Sequence, residues 1–298
     1  MKKLLTLLFI LCLILSMASC STKTEGKPIV AVGIVPLASF VEQIAGDYVD
    51  VVTLIPPGNS PANYQPSSKE MQALSDAVIY FTMQMPTEEA NILPKIRDFN
   101  KDIVIVNLRD AVSAEFPLRV IDDHGHEEED EEEDHDELTI DPHLWTDPLN
   151  AKIILETIAD ELMKQFPDLA SVSKNKALYS GQLYDLYKEI DERIKKLENK
   201  SFMIYHGAYG YFADRFGLEM ISIEAAGKQA TAAEIQEVIE HAKEEGIKII
   251  FYQDEFDDSQ AQTVADEIGG RVEKASPLSP DYSESLLDFV KALEGAQN

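Results

Sequence analysis

The sequence predicts an α/β protein with two similar lobes, each built on a mostly parallel sheet flanked by helices, joined by one long α-helix. Short β-branched runs alternate with helical patterns, which is typical of parallel sheets covered by helices. The alternation occurs twice, and a long amphipathic stretch separates the two occurrences. A length of 298 residues also fits two domains better than one, at about 150 residues per domain.

The first twenty residues are expected to be a secretory signal. A short positive region precedes an apolar stretch, Leu4 to Leu15, that is too short to span a bilayer comfortably. The small-residue segment Met17-Ala18-Ser19-Cys20 resembles a lipobox, which predicts that Cys20 is lipidated after cleavage. An ordinary signal peptide with an incidental cysteine is the alternative. Residues 21–27 then form a polar tether.

The N-terminal lobe is assigned to residues 28–150. Its buried strands are expected at Ile29–Val35, Val49–Ile55, Ala77–Thr82 and Asp102–Leu108. Helical patterns separate them at Ala38–Gly46, Ser67–Ser75 and Pro86–Asp98.

An acidic run interrupts this lobe at residues 122–137. It holds twelve carboxylates and three histidines, His124, His126 and His135, which cannot all be buried and therefore predict an exposed loop. We interpret the histidines as a low-affinity collector of divalent cations, and a solvated acidic linker is the alternative.

A helical segment is assigned to residues 151–199 and the C-terminal lobe to residues 200–298. After an amphipathic stretch at Ala151–Phe166, apolar residues recur at helical spacing from Leu169 to Leu197. A helix of roughly 25 residues is about 38 Å long, enough to span a domain. In the C-terminal lobe, strands are expected at Ser201–Tyr205, Leu218–Glu224, Lys248–Gln253 and Gly270–Lys274. Helices are expected at Tyr209–Phe216, Ala232–Glu245, Ser259–Ile268 and Tyr282–Leu293.

Charge and cysteine content limit the function. Acidic residues number 54 against 26 basic ones, a net charge of −28, which argues against a nucleic-acid partner and favours cations. The two cysteines, Cys12 and Cys20, both lie in the first twenty residues. The remaining chain therefore has no disulfide and no thiolate metal site.

The segment Thr139 to Asn150 is the most informative for function. It holds the only tryptophan and two Asp-Pro steps, which favour extended or turn geometry, and Asp147 is expected to cap a helix. His143 lies between the two steps, so its direction is fixed, as suits a metal ligand. A structural histidine with satisfied hydrogen bonds is the alternative.

His206 follows the predicted strand Ser201–Tyr205 and precedes Gly207. Ligands of open α/β sheets bind beyond the carboxyl ends of the strands, where His206 is expected. Imidazole is the commonest metal ligand in proteins, so His143 and His206 together predict one site between the lobes.

These segments resemble the zinc/manganese family (cluster A-I) of ABC-transporter solute-binding lipoproteins, zinc type. The resemblance covers essentially all of the mature chain, in order. It rests on Asp141–Asn150, Tyr205–Ala213 with Phe216–Glu219, Pro57–Pro66, and Ile250–Phe256 followed by Ser276–Leu278.

The resemblance implies two lobes, a connecting helix and one divalent metal in the cleft between the lobes. The family's ligand positions fall at Ala62, His143, His206 and Ser276, so two of the four ligands are missing here. Alanine has no donor atom, and a hydroxyl replaces a carboxylate poorly.

Nearby oxygen donors are candidates to complete the metal site. Glu224 ranks first, then Glu255 or Asp254, then water; Gln253, Asn63 and Tyr64 are further oxygen donors nearby. Manganese binders of the family carry a carboxylate where this chain has His206, which favours Zn²⁺ over Mn²⁺ or Fe²⁺ because harder ions prefer oxygen.

The implied function is capture of a divalent cation and its delivery to an ABC permease and ATPase. The protein is expected to be a monomer held by its lipid on the outer face of the cytoplasmic membrane. A manganese or iron receptor of the same family, or a surface adhesion or metal-buffering lipoprotein with a degenerate site, is the alternative. An enzyme is not expected, because the common nucleophile, phosphate-loop and metalloprotease motifs are missing from the sequence.

Overall fold

The structure is a computed structural model that describes residues 26–121, 139–224 and 229–296. The predicted signal at residues 1–20 and the acidic loop at residues 122–137 lie outside the described residues. The first sheet contains β1 (Ile29–Val32), β2 (Asp50–Thr53), β3 (Ala77–Thr82) and β4 (Val104–Asn107). A short ribbon follows, formed by β5 (Val120–Ile121) and β6 (Thr139–Ile140). The second sheet contains β7 (Ser201–Ile204), β8 (Glu219–Ser222), β9 (Ile249–Tyr252) and β10 (Arg271–Lys274).

The two four-stranded sheets share one topology. Their spatial orders are β2-β1-β3-β4 and β8-β7-β9-β10, and every pairing within them is parallel. In each sheet the strand order changes direction between two neighbouring strands, β1 and β3 in the first sheet and β7 and β9 in the second. Open α/β sheets form a ligand crevice at such a point, at the carboxyl ends of the strands. The predicted repeat of two α/β lobes is confirmed.

Four helices accompany the first sheet. They are α1 (Val35–Ala45), α2 (Ser68–Ala73), α3 (Ile96–Phe99) and α4 (Leu108–Ser113). Helix α1 has Pro36 in its first turn, where the missing N–H is tolerated, and its C-cap is Gly46 with φ of 58°. Strand β1 is therefore shorter than predicted, since the chain already turns into α1 at Val35.

The predicted helix Pro86–Asp98 is wrong as a single element. The structure has a π-helical turn at Glu88–Ile92 and a separate short helix, α3. Pro94 lies between them and lacks the N–H that a continuous helix needs. Helix α4 and the β5–β6 ribbon were not predicted.

Two long helices connect the sheets. Helix α5 (Pro148–Gln165) begins at Asp147, whose carboxylate accepts a hydrogen bond from the Leu149 amide at 2.8 Å, so the predicted cap is confirmed. Helix α6 (Ser171–Ile194) has 24 residues, close to the predicted length. Among the described residues, none of the helices combines the length and apolar character needed to span a bilayer.

Four helices accompany the second sheet: α7 (Gly210–Phe216), α8 (Ala232–Glu244), α9 (Ser259–Ile268) and α10 (Tyr282–Gly295). Helix α8 begins with a capping box between Thr231 and Glu234. Helices α7 and α9 both end at a left-handed glycine, Gly217 and Gly269.

A continuous apolar core joins the two lobes. Phe40 of α1 packs edge-on against Tyr282 of α10, with ring centroids 5.2 Å apart. Phe289 of the same helix stacks on Tyr209 at 4.2 Å. Outside this core, the Arg193 guanidinium of α6 forms a two-bond ion pair with Glu294 of α10. The lobes therefore share buried surface rather than meeting only at the connecting helix.

Candidate metal centre

His143 is held by its own local sequence. The buried Asp141 carboxylate accepts a hydrogen bond from the His143 backbone amide at 3.0 Å and contacts the imidazole Nδ1 at 2.8 Å. A 3₁₀ turn follows at Leu144–Thr146, and the Trp145 indole donates to the Pro277 carbonyl at 2.7 Å. These bonds fix the direction of the ring.

His206 lies beyond the carboxyl end of β7, at the crevice between β7 and β9. The buried Gln253 side chain donates to the His206 carbonyl at 2.7 Å and accepts from its amide at 3.3 Å. Glu224, which follows β8, contacts the His206 Nδ1 at 2.6 Å. Phe256 stacks on the ring, with a centroid distance of 4.7 Å.

The two imidazoles converge through their Nε2 atoms, which lie 3.1 Å apart. An ionised carboxylate only accepts hydrogen bonds, so a neutral ring whose Nδ1 contacts an ionised Asp141 or Glu224 carries its proton on Nδ1. Both Nε2 lone pairs then face each other, an arrangement that is repulsive unless a cation or a proton lies between them. Two nitrogens bound to one tetrahedral zinc at about 2.0–2.1 Å would be about 3.3–3.4 Å apart, close to the observed separation.

The surroundings keep His143 neutral and Asp141 charged. Burial lowers the pKa of His143 and outweighs the hydrogen bond from its ring to Asp141, which raises it. Burial alone would raise the pKa of Asp141. The hydrogen bonds from His143 and the charge of Arg119 lower the pKa by a larger amount, so the net pKa lies below its ordinary value. A neutral imidazole backed by a carboxylate is the form that binds metals.

The remaining candidate ligands lie in different places. Glu224 faces Nδ1 of His206, away from the point where the two Nε2 atoms meet. Glu255 lines the same small cavity as the two histidines, and burial raises its pKa. Both polar atoms of the Gln253 amide are bonded to His206, and Asp254 pairs with Lys274.

The two positions where the resemblance implies ligands contribute no donor here. Ala62 is exposed, while its neighbours Ser60 and Pro61 line the cavity of the histidines. Ser276 lines a separate cavity behind Trp145. Across residues 26–121, 139–224 and 229–296, no three His, Cys, Asp or Glu side chains form a group that could hold a metal. Cys20, His124, His126 and His135 lie outside the described residues.

The sequence did not predict the supporting roles of Asp141, Gln253 and Phe256. Asp141 had a signal, because an aspartate two residues before a histidine can bond both its amide and its ring. The sequence suggested Gln253 only as an oxygen donor to the metal. The position of Phe256 in the sequence does not indicate that its ring stacks on His206.

Three comparisons with known proteins each found proteins that are similar to this chain. The model of the family ZnuA, zinc-uptake complex component A periplasmic, matches residues 30–296. The zinc-binding lipoprotein AdcA of Streptococcus pneumoniae (strain ATCC BAA-255 / R6) is 31% identical over 284 residues, covering 93% of this chain and 56% of AdcA. The high-affinity zinc uptake system protein ZnuA of Bacillus subtilis (strain 168) is 29% identical over 271 residues, covering 87% of this chain and 82% of that protein.

The fold comparison agrees with the sequence comparisons. A crystal structure of ZnuA superposes with a TM-score of 0.82 and 28% identity, covering 92% of this chain and all of the other. The chain spans only about half the length of the AdcA proteins. Since the family model matches nearly the whole chain, the protein belongs to the ZnuA family of zinc-uptake complex components.

Proposed function

We propose that this protein captures a divalent cation, Zn²⁺, between its two lobes and delivers it to the permease and ATPase of an ABC importer. The observation that carries the proposal is the convergence of the His143 and His206 Nε2 atoms at 3.1 Å, each ring backed by a carboxylate on Nδ1. Two nitrogen lone pairs held face to face are an arrangement that would bind a cation. Membership of a family of zinc-uptake components supports a binding role.

We assign His143 and His206 as the protein ligands. Glu255 is the carboxylate in the same cavity, and we assign it as the third ligand, with water completing the set. Glu224, which ranked first as a replacement ligand, is assigned here to hold the His206 ring. Imidazole nitrogen favours zinc over manganese, in agreement with the names of the relatives.

The location and partners follow the same proposal. A lipid on Cys20 would supply two acyl chains, enough for stable anchoring at the outer face of the cytoplasmic membrane. The loop with His124, His126 and His135 would raise the local zinc concentration, and the protein would work as a monomer. The names of the relatives, a zinc-binding lipoprotein and a zinc uptake protein, support the lipid anchor and the zinc cargo.

A metal-buffering lipoprotein with a degenerate site is the second candidate. It is favoured by one observation: within the described ranges, no group of three potential ligands is assembled. This candidate predicts weak zinc binding without selectivity. A measurement of zinc affinity therefore distinguishes it from the transport receptor.

The test is a zinc titration against a competing chelator, with manganese and iron in parallel. The protein would start at Ser21 and lack residues 122–137, so that the loop histidines do not contribute. We expect one tight zinc equivalent that is lost in His143→Ala and in His206→Ala. His241→Ala, an exposed histidine on α8, is the matched control and should bind zinc as the parent does. Unchanged affinity in both site variants would refute the assigned site.

A further inference from the structure

Arg119 connects the support of His143 to the opposite lobe. Its guanidinium Nη1 lies 3.1 Å from the Asp141 Oδ2, while the other carboxylate oxygen, Oδ1, holds the His143 ring. Its Nε lies 3.3 Å from the carboxylate of Asp214 on α7, in the C-terminal lobe. One side chain thus bridges the carboxylate behind a proposed ligand and a helix of the other lobe.

Tyr211 of α7 reinforces this bridge. Its hydroxyl accepts a hydrogen bond from the Arg119 amide at 3.0 Å and donates one to the Asp141 carbonyl at 3.1 Å. Burial raises the pKa of Tyr211 to about 12, so the hydroxyl stays protonated and able to donate. The backbone on both sides of the Arg119–Asp141 pair is therefore fastened to α7.

Gly210, the first residue of α7, allows this close approach. A Cβ atom at this position would lie 2.7 Å from the Arg119 guanidinium and 2.7 Å from the Asp141 Oδ2. The helix can start against the ion pair only because the residue has no side chain.

We propose that Arg119 is a positioning residue, fixing the orientation of His143 through Asp141 only while α7 of the opposite lobe is in place. Opening of the lobes would remove Tyr211 and Asp214 from Arg119, loosen the Asp141 carboxylate and free the His143 ring. Metal release would then be coupled to lobe opening through the bonds of Arg119 and Tyr211 described above. This inference rests on the proposed function for its metal readout, but its effect on His143 exists without metal.

The first measurement is the zinc affinity of Arg119→Gln. Loss of a residue that supports a metal ligand costs about 10–100-fold in affinity, and because Arg119 acts through Asp141 we expect the lower end, about tenfold. Arg193→Gln is the matched control, since its side chain is 23% exposed against 28% for Arg119 and also bridges two elements through an ion pair. In the background of Asp141→Asn, Arg119→Gln should add little further loss. Additive losses, or equal effects of the two arginine variants, would overturn the proposal.

The second measurement is independent of metal binding. Nitrogen NMR of the histidine rings, in the metal-free protein at a pH where they are neutral, should show His143 with its proton on Nδ1. Arg119→Gln should give a mixture of tautomers, while Arg193→Gln should not. An unchanged His143 signal in Arg119→Gln would refute the positioning role. If the tautomer changes while the parent protein fails to bind zinc, the metal function fails and the positioning role stands.

A glycine pair tests the contribution of the opposite lobe. Gly210→Ala should displace the Arg119–Asp141 pair and reproduce the His143 tautomer change from α7. Gly181→Ala, on α6 with open space around the new Cβ, should leave the signal as in the parent. A normal His143 signal in Gly210→Ala would show that α7 does not control the ring.

Discussion

Asp141 and Glu224 hold the two histidines by the same atom, Nδ1, but from opposite lobes. Each carboxylate leaves Nε2 as the free nitrogen of its ring, and the two free nitrogens meet in the cleft. Such outer carboxylates orient a metal ligand and increase its basicity without touching the metal. The two carboxylates therefore leave the Nε2 atoms as the ring nitrogens available to a metal.

This assignment of Glu224 leads to the first prediction. Glu224→Gln keeps a carbonyl oxygen that can accept from the His206 Nδ1, but it removes the negative charge. We expect zinc affinity to fall about 10–100-fold, the range for an outer partner, while His206→Ala abolishes tight binding. Glu219→Gln, an exposed change on β8, is the control. A loss in Glu224→Gln as complete as that in His206→Ala would mean that Glu224 binds the metal directly.

The second prediction concerns the missing donor at position 62. The loop that carries Ala62 is anchored by a hydrogen bond from the Thr87 amide to the Pro61 carbonyl at 3.1 Å, and Pro61 itself lines the cavity of the histidines. Ala62→His should add a third imidazole and tighten zinc binding at least tenfold in the chelator competition. Asn63→His, one position along, should not. Equal affinities in Ala62→His and the parent would place this loop too far from the metal.

The sequence predicted His143 and His206 as ligands, because one lies between two Asp-Pro steps and the other follows a predicted strand. The structure brings their Nε2 atoms to 3.1 Å, and their role as ligands stays a prediction. The sequence could not show which ring nitrogen faces which carboxylate, since spacing places Glu224 near the site but does not orient it. Arg119 had no signal, because 21 residues, including the acidic run, separate it from Asp141.

At the scale of elements, the crevices of the two sheets are used differently. In the C-terminal lobe the crevice between β7 and β9 holds His206. In the N-terminal lobe the equivalent place holds the buried Glu88 carboxylate, which accepts from the Tyr80 hydroxyl at 2.6 Å and from the amides of Met83 and Met85 at 3.1 and 2.9 Å. Gly33, just after β1, leaves the space for this carboxylate. The crevice of the C-terminal lobe holds a proposed metal ligand, and that of the N-terminal lobe is filled by a buried carboxylate.

The third prediction follows from the burial of Glu88. Burial raises the pKa of Glu88 above its ordinary value, despite the opposing hydrogen bonds from Tyr80 and the two amides. The folded state therefore binds its proton more tightly than the unfolded state, so this group stabilises the fold at low pH. That contribution is lost as the pH rises through the folded-state pKa.

Glu88→Gln tests this sign. The glutamine can accept from both amides and donate to Tyr80 without a charge, so its stability relative to the parent should increase as the pH rises from acidic to neutral. Denaturant unfolding of both proteins across that range measures the difference. A difference that stays constant or shrinks with rising pH would contradict it.

The elements were predictable to different degrees. All eight strands of the two sheets were predicted, because buried parallel strands read as short β-branched runs bounded by turns. The helix at Pro86–Asp98 was wrong because its apolar spacing continues across Pro94, which breaks the backbone hydrogen bonding. The β5–β6 ribbon has two residues in each strand, too few for a periodic pattern.

At the scale of the whole molecule, the shared core limits how the lobes can move. Phe40 and Tyr282 belong to a cluster that runs from α1 to α10, so wide separation would expose apolar surface. Near α7, the bonds of Arg119 and Tyr211 add polar contacts between the lobes. We therefore expect metal release by a small movement that breaks these bonds rather than by wide separation.

The fourth prediction concerns the acidic loop. Deleting residues 122–137 should leave the zinc affinity of the cleft unchanged and reduce uptake only when zinc is scarce, because we propose that this segment collects cations. Growth of cells that depend on this protein, compared across zinc concentrations, measures the effect. A deletion that weakens the cleft itself would contradict the collector.

Zinc X-ray absorption on the protein lacking residues 122–137, loaded with one equivalent of zinc, tests whether His143 and His206 hold the metal together. We expect two imidazole ligands at about 2.0–2.1 Å, with oxygen completing the set, and loss of this spectrum in His143→Ala and in His206→Ala, which should no longer bind zinc tightly. A spectrum with one imidazole or none in the parent protein would contradict the claim that these two histidines together hold the metal.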